Sequence, residues 1–336
     1  MCRGEQFWYR DSSITLKQEN NIVIGKYTLN KNYRAEFGFM PGHTLPKESL
    51  WKFKDSYTEG WMNTSFDDSQ WIQAKKGNFP TPEETVVTRY YRRTVALGDL
   101  TGFAAFELAV NSRYGIIMFA NGEEIYRKNL PATVDPTTPS SNDDGYYAFK
   151  RAFANRHLLA TSAVFAVEVH FPEGGVSSDD FDAFLNLVPA GTHRTFDGTV
   201  SGTHQSDYWD EPGTNAWDGA RNHKWYMEEY PAYGTYTFNY DRADYVNSYY
   251  IGTGNYDSGR RPTVWKVEVS DDGSTWYLAD YRSGITWTSH GETQHFTMPQ
   301  LRRGYRMLKW TLLDTAGDDC EISELSFYAD DIPPVP

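Results

Sequence analysis

Residues 264–277 read VWKVEVSDDGSTWY. The first seven alternate cleanly. Trp265, Val267 and Val269 fall on one face of a strand, and Lys266, Glu268 and Ser270 on the other, the pattern of a strand buried on one side only. Asp272-Gly273 then supplies the positive φ that a tight hairpin needs. This places Trp276 at the opening of the return strand, where its indole can cover the end of the hairpin.

The same alternation runs through most of the chain. Residues 106–110, FELAV, put Phe106, Leu108 and Val110 on one face. Residues 164–171, VFAVEVHF, do the same with Phe165, Val167, Val169 and Phe171. TYTFNY (235–240) and LKWTLL (308–313) follow suit, and Asn121-Gly122, Asp144-Gly145 and Asp272-Gly273 punctuate the runs. Long amphipathic helical patterns are missing. Short alternating strands with frequent turn signals predict an all-β protein built of sandwiches.

The chain has 336 residues, enough for two domains of ordinary size. Aromatics make up 16% of it, with 11 Trp, which is ample apolar surface for packed cores. The net charge of −13 argues against a nucleic-acid partner, which calls for a basic face. No run approaches the ~20 apolar residues of a membrane helix, so no membrane insertion is expected. The start, MCRGEQFWYRDSS, lacks the apolar stretch of a secretory leader. The two cysteines, Cys2 and Cys320, stand at opposite ends, and the single sequon, Asn63-Thr64-Ser65, is what chance gives. Together these predict a reducing, intracellular setting, with a secreted or cell-surface one as the alternative.

A division near 189–200, PAGTHRTFDGTV, follows the apolar run FLNLV and is rich in Gly, Thr and Pro. It yields an N-terminal extension (1–48) with two strands, IVIGKYTL and YRAEFGF, a first domain (49–190), a second (196–330) and a proline-rich tail (331–336). The tail reads as a linker or free end.

The second domain resembles the discoidin family, also called the coagulation-factor 5/8 type C module. NAWDGARNHKW (215–225) is similar to its Ala-x-Asp-Gly segment. YYIGTGNYDSGRRPTVWKVEVSDDGSTWY (249–277) is similar to its central block, and YRMLKWTLL (305–313) with EISELSFY (321–328) to its last two strands. The first domain resembles the galactose-binding-like jelly roll attached to many glycoside hydrolases. FDDSQW (66–71), TRYYRRTVAL (88–97), MFANGEEIYRKNLP (118–131) and AVFAVEVHFPEGGVSSDDFDAFLNLV (163–188) carry that likeness. The resemblance implies two tandem jelly-roll β-sandwiches. It also implies binding through loops at one end of a sandwich, with Trp209, Arg260, Trp287 and His290 as candidates. A calcium site near the Asp-Gly segment would draw on Asp218 and Glu324, but Ala220 and His223 stand where the family places further ligands.

Catalytic signatures are missing. Adjacent carboxylates such as Asp67-Asp68 and Asp179-Asp180 sit in turn contexts. The histidines form no HExxH, and there is no GxSxG and no phosphate loop. In IGTGNYDSG, Asp257 stands where a dinucleotide fingerprint wants glycine. No cofactor is expected. The sequence predicts a non-catalytic binding protein, first an intracellular structural or adaptor protein with cytoskeletal or ciliary protein partners. The alternatives are a secreted or surface glycan binder and an ancillary part of a larger glycosidase.

Overall fold

The computed structural model describes residues 13–19, 22–29, 33–39, 45–202, 211–240, 242–255 and 259–335. In the first three of these spans the backbone forms a three-stranded antiparallel meander of Ser13–Glu19, Ile22–Leu29 and Tyr33–Phe39. The two strands expected there are present, with a third before them.

The first sandwich closes a six-stranded sheet over a second sheet. The six strands run, in spatial order, Ile72–Ala74, Trp51–Lys54, Thr88–Ala96, Ser162–His170, Gly115–Ala120 and Glu123–Lys128. The facing sheet holds Asp182–Pro189, Phe103–Ser112 and Ala148–Asn155. Phe106, Leu108 and Val110 meet Phe165, Val167 and Val169 in its core, as their alternation requires.

Alternation underestimates the burial of these strands. Every position of Phe103–Ser112 is buried. On the outer side, Ala104 and Ala105 pack with Phe153 and Val188 into the core of the second sandwich. The six-stranded sheet is covered on its outer face too. There Trp61 stacks on Trp71, with ring centroids 6.2 Å apart, over Tyr90, Ile117 and Phe119. The covering loop is held by Arg92, which binds Asp68 and the carbonyls of Trp61 and Asn63.

The second sandwich pairs a sheet of Gly198–Gly202, Ala232–Phe238, Met307–Thr315, Pro262–Ser270 and Tyr277–Arg282 with one of Thr192–His193, Cys320–Ala329, Ser248–Thr253 and Thr293–Thr297. Trp225–Met227 also pairs with Cys320–Ala329. Its core is unusually aromatic: Trp225, Trp265, Trp310, Tyr249 and Phe327 are essentially inaccessible. Cys320 is buried there as a free thiol.

The two sandwiches share backbone pairing. Arg242–Ala243 adds in parallel to Ala148–Asn155, so one sheet runs from the first sandwich into the second. Asp244 lies beneath this seam and is almost wholly buried. It accepts two bonds from Arg194, at 2.8 and 2.9 Å, and pairs with Arg242 at 2.9 Å. The tail read as a linker or free end is docked instead. Asp331 pairs with Arg156 and His157, the Ile332 carbonyl accepts from Asn155, and Val335 N–H donates to the Pro299 carbonyl.

Removing one member of a buried charge set leaves the others uncompensated. Asp244→Ala strands two buried guanidinium groups at the seam. It is expected to cost about 3–5 kcal/mol, read as a lower urea midpoint. Loss of less than about 1 kcal/mol, the scale of an exposed pair, would mean that Asp244 does not hold the seam.

Candidate functional site

The outward face of the five-stranded sheet is the feature that the fold builds and the core does not use. Along Pro262–Ser270, Trp265, Val267 and Val269 point into the core, leaving Lys266 and Glu268 outside. Along Met307–Thr315, Leu308, Trp310 and Leu312 point in, leaving Lys309, Thr311 and Leu313 outside. Along Ala232–Phe238, Tyr233, Thr235 and Thr237 take the outer positions. Register then aligns them in rows. Thr235 faces Lys309, which faces Glu268; Tyr233 faces Thr311, which faces Lys266.

The SDDGSTWY turn walls this face at one end. Gly273 has φ +74°, the left-handed conformation expected of it. Asp272 Oδ1 accepts from the N–H groups of both Ser274 and Thr275, each at 2.7 Å. These backbone bonds hold its carboxyl down at about 2. They also widen the turn, so that pairing resumes at Tyr277 and not at Trp276. Trp276 therefore lies in the loop, a correction to the reading that it opens the return strand. Its indole N–H donates to the Gly273 carbonyl at 3.1 Å. Its ring lies under the Lys309 ammonium, with Nζ 3.9 Å from the centroid.

The result is an open groove of about 730 Å³ lined by these outer residues. Tyr233 is 38% exposed at one side. Among the described residues, the side chains of Tyr233, Thr235, Thr237 and Thr311 make no hydrogen bond; Tyr233 is exposed, Thr235 and Thr237 are half-buried, and Thr311 is buried in the floor. Glu268 holds the floor. Lys266 Nζ donates to its Oε1 at 2.9 Å, and Lys309 Nζ stands 3.2 Å from Oε2 without the alignment of a hydrogen bond. Burial alone would push the Glu268 carboxyl up. The contacts of Lys266 and Lys309 with the carboxylate, and their two ammonium charges, outweigh it and hold the group below the usual glutamate range.

Of the four residues expected at the loop end, the three described ones do not line this groove. Trp209 lies outside the described residues. Trp287 is only 9% exposed, packs in the core and spends its indole N–H on the Pro262 carbonyl at 2.7 Å. Arg260 binds Glu321 at 2.8 Å and lies over the Tyr226 ring. His290 is exposed on a loop whose backbone is capped by Glu292. The nearby IGTGNYDSG segment needs its second glycine for packing, since a Cβ on Gly254 would sit 2.3 Å from Glu321 Oε2.

The two calcium candidates, Asp218 and Glu324, already have partners or burial of their own. Asp218 is taken by the Ala220 N–H and His223 Nδ1, at 2.7 and 2.6 Å. Burial pushes Glu324 up to about 7, so it gives up its charge near neutrality. Among the described residues no three metal-binding side chains converge. No helix among them is long and apolar enough to cross a membrane.

No protein-family model and no curated protein matches the chain. Solved structures do. The chain is similar to family 32 carbohydrate-binding and F5/8 type C modules. One is the Clostridium perfringens module CpGH89CBM32-5, in complex with GalNAc-β-1,3-galactose: 18% identity, 39% of this chain and 94% of that one, TM-score 0.33. A second is the family 32 module of C. perfringens NanJ in complex with galactose, at 18% identity, covering 40% and 95%, TM-score 0.33. A third is an F5/8 type C domain of Bacteroides fragilis, at 14% identity, covering 40% and 93%, TM-score 0.35. The share of this chain is about that of one sandwich.

Because the folded state lowers the Glu268 pKa, its contribution to stability is present above the ordinary value of 4.5 and fades as pH falls through the lower folded value. The stability gap between the wild type and Glu268→Gln is expected to close on acidification below that value. A carboxyl carbon of Glu268 titrating by NMR at or above 4.5 would contradict the lysine contacts.

Proposed function

We propose that this chain is a non-catalytic glycan-binding protein, and that the groove on the outer face of the second sandwich holds the sugar. The observation that carries the reading is the pairing of Tyr233 and Trp276 with uncommitted threonine hydroxyls across an open, preformed sheet face. A sugar ring offers an apolar C–H face and a rim of hydroxyls. Aromatic surface meets the first, while Thr235, Thr311, Lys266 and Lys309 meet the second. The three strands that carry most of the lining, Ala232–Phe238, Met307–Thr315 and Pro262–Ser270, are each paired on both sides, so little order has to be gained on binding.

Hydrolysis by the usual two-carboxylate route requires a pair of acids across the bond. The groove lining supplies one, Glu268. Binding without turnover fits that composition. The intracellular adaptor reading, with cytoskeletal or ciliary partners, rested on the start of the sequence, its cysteine count and its single sequon.

Tyr233→Ala and Trp276→Ala are each expected to weaken binding to a glycan identified on an array by about two- to tenfold, on the scale of a lost aromatic contact of ~0.5–1.5 kcal/mol. Calorimetry measures the loss. Thermal midpoints should fall little for Tyr233→Ala, whose ring lies outside the core. Unchanged affinity in both variants, with the fold intact, would remove the groove from the account.

A further inference from the structure

The groove carries more positive charge than its surroundings explain. The chain as a whole has a net charge of −13, yet the lining of the groove holds two lysines against one carboxylate. Cross-strand register forces the two cations to flank the same acid, since Glu268 lies opposite Lys309 and two residues along its strand from Lys266. Glu268 therefore neutralises one ammonium and leaves an excess of one.

Donor geometry points the same way. Lys266 donates to Glu268 Oε1 at 2.9 Å, whereas Lys309 stands farther off, 3.2 Å from Oε2 and poorly aligned with it. Each ammonium carries three N–H donors. Among the described residues Lys309 makes no aligned hydrogen bond, and it is held in place by the Trp276 ring at 3.9 Å. The two ammonium groups contact different oxygens of one carboxylate, and their remaining N–H donors can meet a second carboxylate in the groove. Thr311, opposite Lys266 in the sheet, adds a hydroxyl beside it.

We infer that the ligand is an acidic glycan, with Lys309 and Lys266 holding the carboxylate of a uronic or sialic acid residue while Tyr233 and Trp276 take the sugar face. This rests on the glycan-binding reading above and narrows its substrate class. A charge-assisted bond to a carboxylate is about twice as strong as a neutral one. A half-buried cation pair at an open groove also makes binding sensitive to salt.

The test uses the full chain and three oligosaccharides, ending in galacturonate, glucuronate and sialic acid, each beside its counterpart with the carboxylate reduced to an alcohol. At least one acidic form is expected to bind on the order of tenfold more tightly than its reduced form. That preference should shrink at high salt, vanish in Lys309→Gln and survive in Lys309→Arg. Lys309→Gln should lose more affinity for the acidic form than for its reduced counterpart, and an unchanged thermal midpoint separates lost charge from lost fold. Equal binding of every acidic and reduced pair would overturn the inference and leave a neutral glycan site standing. No binding of either form, or of any neutral glycan on an array, would overturn the glycan reading itself.

Discussion

The second sandwich depends on the burial of Trp265 and Trp310 from neighbouring strands. Their rings lie 6.4 Å apart, Trp225 sits 5.9 Å from Trp310, and the Trp265 indole donates to Tyr249 Oη at 2.8 Å. Each indole removes ~200 Å² from water, which stabilises the fold by ~5 kcal/mol at ~25 cal/mol per Å². Side chains alternate faces along a strand, so a slip of one residue would turn both rings out. It would also carry Lys266, Glu268 and Lys309 inward, at a cost of several kcal/mol per ion. The two terms reinforce each other, and only one register survives. That register makes the outer rows of the groove.

Much of the fold is legible in the sequence because alternation is local. The faces of Trp265 to Ser270, and of Phe106, Leu108 and Val110, follow from a period of two and are found as expected. So is the positive φ at Gly273. What alternation does not carry is what lies on the far side of a strand. Ala104 and Ala105 read as ordinary strand residues, yet they are buried because the second sandwich packs on them. The loop holding Trp61 and Trp71 covers a sheet face that its own sequence does not reveal. The tail at Asp331 is docked by Arg156, 175 residues away.

The candidate site was less legible, for the same physical reason. Lys266, Glu268, Lys309, Thr235 and Thr311 look like any solvated strand face. They become a site only through pairings between strands more than 30 residues apart in sequence. Trp287, in the loop-end set, packs in the core with its indole N–H on the Pro262 carbonyl, a plug that local sequence does not distinguish from a platform. The one local signal available was Trp276, an aromatic beside an Asp-Gly turn. The wide turn capped by Asp272 gives that indole its place.

The most direct measurement follows backbone amide shifts while the isotope-labelled full chain is titrated with a glycan that binds it. The account predicts that the perturbed amides fall along Ala232–Phe238, Met307–Thr315 and the turn at Gly273 to Trp276. Perturbations confined to the loops around Arg260, Trp287 and His290, with the sheet face silent, would contradict it.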